Sequence, residues 1–179
     1  MLKHYKQITI LFLLLTLTAC GGFHLRKPLP LAKPLQHVYV QSRNPYGEMT
    51  RDIRQYLQMS GVQLAATPDE ASTILSITQE AVSQDLLSIN SSQQTRQYNL
   101  RLSVTYEITD RHGTVLIEPH TLTELRPLTL QSNQILAGSN QASQIYHDMR
   151  RAITFTMMNH LASKTVTRAL LHAETKEQP

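Results

Sequence analysis

Between Gln97 and Thr109 apolar and polar residues alternate without a break, with Tyr98, Leu100, Leu102, Val104, Tyr106 and Ile108 as the apolar set. A period of two puts that set on one side of an extended chain, so the pattern predicts one long strand with a buried face and a wet one. Asp110-Arg111-His112-Gly113 supplies a turn, and Val115 to Leu125 returns as the antiparallel partner, with Pro119 marking a bulge or an edge. Burying six such side chains contributes on the order of 10 kcal/mol before ordering costs, which makes this hairpin the centre of the predicted core.

The pattern on either side is shorter. Val38-Tyr39-Val40 reads as a strand closed by Asn44-Pro45-Tyr46-Gly47. Met49, Ile53, Tyr56 and Leu57 then recur at helical spacing, and Gly61 provides the stop. Arg51, Arg54, Gln55 and Gln58 fall on the opposite face, which is either solvated or set against an anionic partner. Val62-Gln63-Leu64 is a short extended piece. Thr73 to Val82 alternates around Leu75 and Ile77 and changes phase near Glu80-Ala81, the sign of a bulge or a strand end.

Gln84 to Gln94 is expected as a polar connection that offers Leu86, Leu87 and Ile89 to a partner. Leu128 to Gly138 reads as a loop or irregular strand. Ser139 or Asn140 is placed to cap a second helix with the stripe Ile145, Met149, Ala152, Ile153, Thr156 and Leu161. That helix is expected to reach about Ser163, with Val166, Ala169 and Leu170 as a possible extension. Residues 172–179 are polar and are expected to form a disordered tail.

The first 19 residues follow different rules. Lys3 and Lys6 precede an apolar run from Ile8 to Leu17, and small residues lead to Cys20, the one cysteine. A basic start, a short apolar middle and a small-residue junction make a secretory signal peptide. The run is too short for the roughly 20 residues of a spanning helix. Leu17-Thr18-Ala19-Cys20 also resembles the bacterial lipobox, whose cysteine takes S-diacylglycerol and then an N-acyl chain. Two or more chains anchor stably where one is marginal. Gly21 stands where an aspartate often marks inner-membrane retention, which favours the outer membrane. Pro28, Pro30 and Pro34 then favour an extended tether over residues 20–36, ahead of a domain at 37–171.

Composition removes several function classes. Without Lys3 and Lys6, 15 basic residues face 13 acidic ones, and a net charge of +2 gives no basis for nucleic-acid binding. With its thiol acylated the mature chain forms no disulfide, so packing must hold it together. The eight histidines show no i, i+4 pair for zinc, and the chain has neither a G-x-S-x-G elbow nor a glycine-rich phosphate loop. Asp110 with Glu118, or Asp148 beside Arg151, are turn and surface charges more readily than acid–base pairs. Neither a catalytic group, a metal site nor a cofactor other than the Cys20 lipid is expected. The reading is a binding or assembly protein.

Three pieces carry a family resemblance: Cys20-Gly21-Gly22-Phe23-His24-Leu25-Arg26; Thr50-Arg51-Asp52-Ile53-Arg54 with Leu57 and Gly61-Val62-Gln63-Leu64; and Thr95-Arg96-Gln97-Tyr98. In their order and spacing they resemble the LPS-assembly lipoprotein family LptE. The resemblance implies an α+β two-layer sandwich, two helices packed on a four-stranded, mostly antiparallel sheet. It also implies a one-to-one complex in which the domain plugs the β-barrel LptD and helps it assemble, the pair inserting lipopolysaccharide into the outer leaflet. Family members can carry a basic residue at the tip between the middle strands, where this chain has Asn90-Ser91-Ser92; Gly138 and Ser139 likewise put no cation before the second helix. Arg96 and Arg101 are the nearest cations and become the lipopolysaccharide candidates. An auxiliary lipoprotein of another envelope lipid-transport system, such as an ABC-type one, would share the anchor and sandwich; a tethered hydrolase would need a nucleophile and base that the sequence does not offer.

Overall fold

A computed structural model describes residues 31–89, 95–131 and 135–177. The signal segment, Cys20, Phe23, Leu25 and the Asn90-Ser91-Ser92 tip lie outside the described residues. The elements in order are β1 (His37–Ser42), α1 (Glu48–Met59), β2 (Gln63–Leu64), β3 (Thr73–Ile89), β4 (Thr95–Asp110), β5 (Val115–Gln131), α2 (Ile135–Leu161) and α3 (Lys164–Glu177). The strands form one sheet in the order β2-β1-β3-β4-β5. β1 runs parallel to β2 and β3, whereas β3, β4 and β5 are antiparallel. The α+β sandwich that the resemblance implies is present, with five strands in place of four and three helices in place of two among the described residues.

β4 sets the core. Leu100, Leu102, Val104, Tyr106 and Ile108 are all 0% exposed, and the helices close over them with Ile53, Leu57, Met149, Ile153 and Met157. The opposite face is polar and is tied by side-chain bonds between Ser103 and Thr123 (3.0 Å) and between Thr105 and Thr121 (2.8 Å). α1 ends as its sequence requires. Gly61 adopts φ +84°, its N–H donates to Gln58 O, and Val62 N–H donates to Leu57 O while Val62 and Leu57 are both buried. That double bond around a left-handed residue satisfies the last carbonyls of the helix. The β4–β5 turn is held by Asp110 Oδ1, which accepts from His112 N (2.8 Å) and Thr114 N (2.7 Å). Asp110 is therefore a structural turn residue.

Several expectations are corrected. Ala32 and Leu35 are buried, and Lys33–Gln36 form a 3-10 turn with Pro34 near its start, so the packed domain begins before residue 37. Thr73 Oγ1 donates to Pro34 O (3.0 Å) and fastens that turn to β3. The supposed connection from Gln84 is strand as far as Ile89, and β5 continues past Leu125 to Gln131. α2 begins at Ile135, ahead of the Ser139 or Asn140 cap. It stops at Leu161, and Ser163 Oγ accepts from Val166 N (3.3 Å) to start α3, which buries Val166 and Leu170. A side-chain acceptor at that position favours a new helix over a continued one. The expected tail from 172 is helical to Glu177. Pro119 does sit at a bulge: between the pairs Tyr106–His120 and Ile108–Ile117, Glu118 and Pro119 oppose Glu107 alone.

Leu102 and its register partner Val82 make a matched test of where the core ends. Leu102→Ala is expected to cost about 2–5 kcal/mol in urea unfolding. Val82→Ala, on an exposed side chain one strand away, should stay within about 0.5 kcal/mol.

Candidate functional site

On its β3 strand the β3–β4 hairpin is covered only at its base, as far as Ile77. On the helix-facing side, register pairs Glu80 with Val104, Val82 with Leu102, Gln84 with Leu100, Leu86 with Tyr98 and Ile89 with Arg96. The β4 members Leu100 and Leu102 are fully buried, yet Val82, Leu86 and Ile89 are 55%, 51% and 47% exposed. The cover therefore stops between two adjacent strands. Leu87, in the register shift between Leu86 and Ser88, is also exposed. Leu86, Leu87 and Ile89 are exposed rather than tucked under the chain, and they stand on a strand rather than in the expected connection.

Beside this surface lies an open trough of about 430 Å³ lined by Glu48, Val82, Ser143, Gln144, His147 and Arg150. At its end the guanidinium of Arg150 pairs with the Glu48 carboxylate. Burial pushes the nearby Glu80 carboxyl up, Arg150 pulls it down, and Glu48 raises it again; the net shift is upward. Sequence reasoning missed this cluster, because its members come from α1, β3 and α2 and no local spacing links them. Arg54, placed on the outer face of α1, donates to the carbonyls of Pro45 and Val40 at 3.3 Å and so serves the β1–α1 connection.

The structure does not bring Arg96 and Arg101 together. They are five positions apart on a strand without a bulge of its own in that stretch, so they point to opposite faces. Arg96 lies on the helix-facing side, in register with Ile89 on β3 and Leu130 on β5. Arg101 lies on the polar side, 4.0 Å from the Asp85 carboxylate, with both side chains about half exposed.

A second polar cluster runs from the buried Tyr106 through the half-buried His160 to the exposed His120. The Tyr106 hydroxyl bonds His160 Nδ1, and the His160 ring stacks on His120 with centroids 4.4 Å apart. Burial pushes the Tyr106 phenol well up, and burial followed by His120 pulls His160 down. Which of the two donates is set by the imidazole tautomer. Among the described residues no group of three or more His, Cys, Asp or Glu is placed to hold a metal ion, and no helix is long and apolar enough to cross a membrane.

Comparison with known proteins points in one direction. Residues 35–161 match the family described as LptE, lipopolysaccharide-assembly. An LPS-assembly lipoprotein LptE of Yersinia enterocolitica is 32% identical over 126 residues, covering 70% of this chain and 58% of that protein. The aligned region spans about three fifths of the length of the curated relatives it matches. The names of those relatives describe an assembly role and not an enzymatic one. In fold the chain is similar to a minor lipoprotein from Acinetobacter baumannii (TM-score 0.61, 24% identity, 74% of this chain and 93% of that one). It is also similar to lipoprotein B from Nitrosomonas europaea (TM-score 0.66, 19% identity, 84% and 96%).

His160 gives the fold a pH dependence of defined sign. A His160 pKa below its unfolded value of about 6.5 means that the folded state binds fewer protons. Its stabilisation is complete above about pH 6.5 and is lost as the pH falls below that value. The thermal midpoint should decline from pH 7.5 to pH 5, and His160→Gln should flatten that slope.

Proposed function

The chain belongs to the LptE lipopolysaccharide-assembly family, and on that premise we propose that it is an outer-membrane lipoprotein, acylated at Cys20. In this reading it sits within the β-barrel LptD, helps that barrel assemble, and with it delivers lipopolysaccharide to the outer leaflet. The domain faces the periplasm and the barrel lumen. The observation that carries the reading is the asymmetry of the sheet. One face is a hydroxyl- and amide-rich surface suited to a water-filled barrel interior. The other closes a core at its base and presents apolar side chains at its far end. A soluble chain that stood alone would have no use for that uncovered end.

Arg96 fits lipopolysaccharide better than Arg101. It stands beside Ile89 and Leu130, so a phosphate and the acyl chains next to it would meet a guanidinium and apolar side chains on one face. Arg101 would have to leave Asp85 first, although that exposed pair is worth at most about 1 kcal/mol. The chemistry required is recognition and partition, with no bond made or broken.

Three experiments test this. Wild-type chain carrying a C-terminal tag should bring down a large outer-membrane barrel in one-to-one ratio from detergent extracts. Cys20→Ser should leave the membrane fraction while keeping its folded circular dichroism; palmitate still incorporated into Cys20→Ser would refute the anchor. For the ligand, Arg96→Glu should weaken lipopolysaccharide binding roughly fivefold or more at low salt, with a smaller loss in Arg101→Glu. Equal losses would remove the distinction between the two faces.

A further inference from the structure

The long hairpin has one edge that no described strand covers. β1 lies along β3 only from Val38–Thr73 to Ser42–Ile77. β3 then continues for 12 residues, Thr78 to Ile89, a length of about 40 Å. On one side this stretch pairs with β4; on the other, among the described residues, no strand lies. Every residue in it is exposed. The Ser83 carbonyl accepts from the Tyr146 hydroxyl (3.0 Å), a local cap on one group.

The opposite edge of the sheet is treated differently. β5 carries Pro119 and Pro127, a bulge at Glu118-Pro119, and the charges Glu118, Glu124 and Arg126. Prolines, bulges and charges are the usual means of blocking strand addition. The open stretch of β3 has no proline, carries the two charges Glu80 and Asp85, and displays Val82, Leu86, Leu87 and Ile89. Its two irregularities, at Thr78 and Leu87, leave a regular run from Gln79 to Leu86 between them. Eight residues is within the ordinary length of a strand.

We infer that this edge of β3 takes up an extended segment of the barrel partner by main-chain pairing, in the lane that β1 leaves after Ser42. The backbone selects the occupant: unpaired strand N–H and C=O groups alternate at a spacing that another strand matches and a helix does not. The side chains select its pattern. The added strand carries apolar residues toward the helices, beside Val82 and Leu86, and polar residues toward the face of Ser83 and Asp85. The inference rests on the proposed LptD partnership and names the surface through which that partner is held.

The test compares amide hydrogen exchange of the full chain, alone and in the purified complex with LptD. Alternate amides between Gln79 and Leu86 should exchange freely in the isolated chain and slow at least a hundredfold in the complex, with β5 amides unchanged. Val82→Lys combined with Leu86→Lys replaces exposed side chains, so the domain should fold, and recovery of the complex should drop tenfold or more. A complex that forms while these amides exchange as fast as before overturns the inference and leaves the partnership standing. Failure of wild-type chain to form the complex removes both. Protection of the same amides that rises with the concentration of isolated chain would identify a second copy as the occupant and overturn the inference as well.

Discussion

The burial of one face of β4 is the constraint on which the molecule depends. Five consecutive inward side chains, from Leu100 to Ile108, have lost all contact with water. The residues that cover them come from helices separated from β4 in sequence on both sides. Once that face is fixed, the alternation of the strand fixes the other as polar, and the register of β3 and β5 follows. No covalent cross-link is available to share the task, since the only thiol is Cys20. The fold is held by packing, and the turns at Gly61 and Asp110 are built to let that packing close.

What could be read in the sequence follows the same logic. β4 was legible because burial imposes an alternation, and the end of α1 was legible because a left-handed position calls for glycine. The outer half of β3 was not. Gln84 and Asp85 put polar groups on both faces, and that strand persists through backbone bonds to β4, which leave no hydrophobic trace. Leu35 was obscured by its neighbours: prolines that exclude a long helix permit a single 3-10 turn, and one turn is enough to bury a side chain. The end of α2 near Ser163 was legible, but not that Val166 and Leu170 belong to a separate helix, which the Ser163 hydroxyl caps.

The candidate site divides in the same way. The exposure of Leu86, Leu87 and Ile89 was anticipated from their setting among polar residues. The opposite orientation of Arg96 and Arg101 was available from parity alone, since an odd separation on a regular strand means opposite faces. The Glu48–Arg150 pair was out of reach, because it joins the first turn of α1 to the middle of α2 and only the tertiary fold makes them neighbours. Long-range polar contacts of this kind carry no local period to detect.

The unequal cover along the hairpin also divides its cohesion. Near Ile77 and Tyr106 the two strands are clamped between β1, β5 and the helices, whereas beyond Val82 β3 has β4 on one side and, among the described residues, no strand on the other. Cooperative opening follows local burial. The outer rungs can therefore unzip and re-form as a unit while the base keeps its shape, so the chain carries a loosely held foldon at one end of a rigid one. A sheet built in this way separates the part that must stay folded from the part free to change partners.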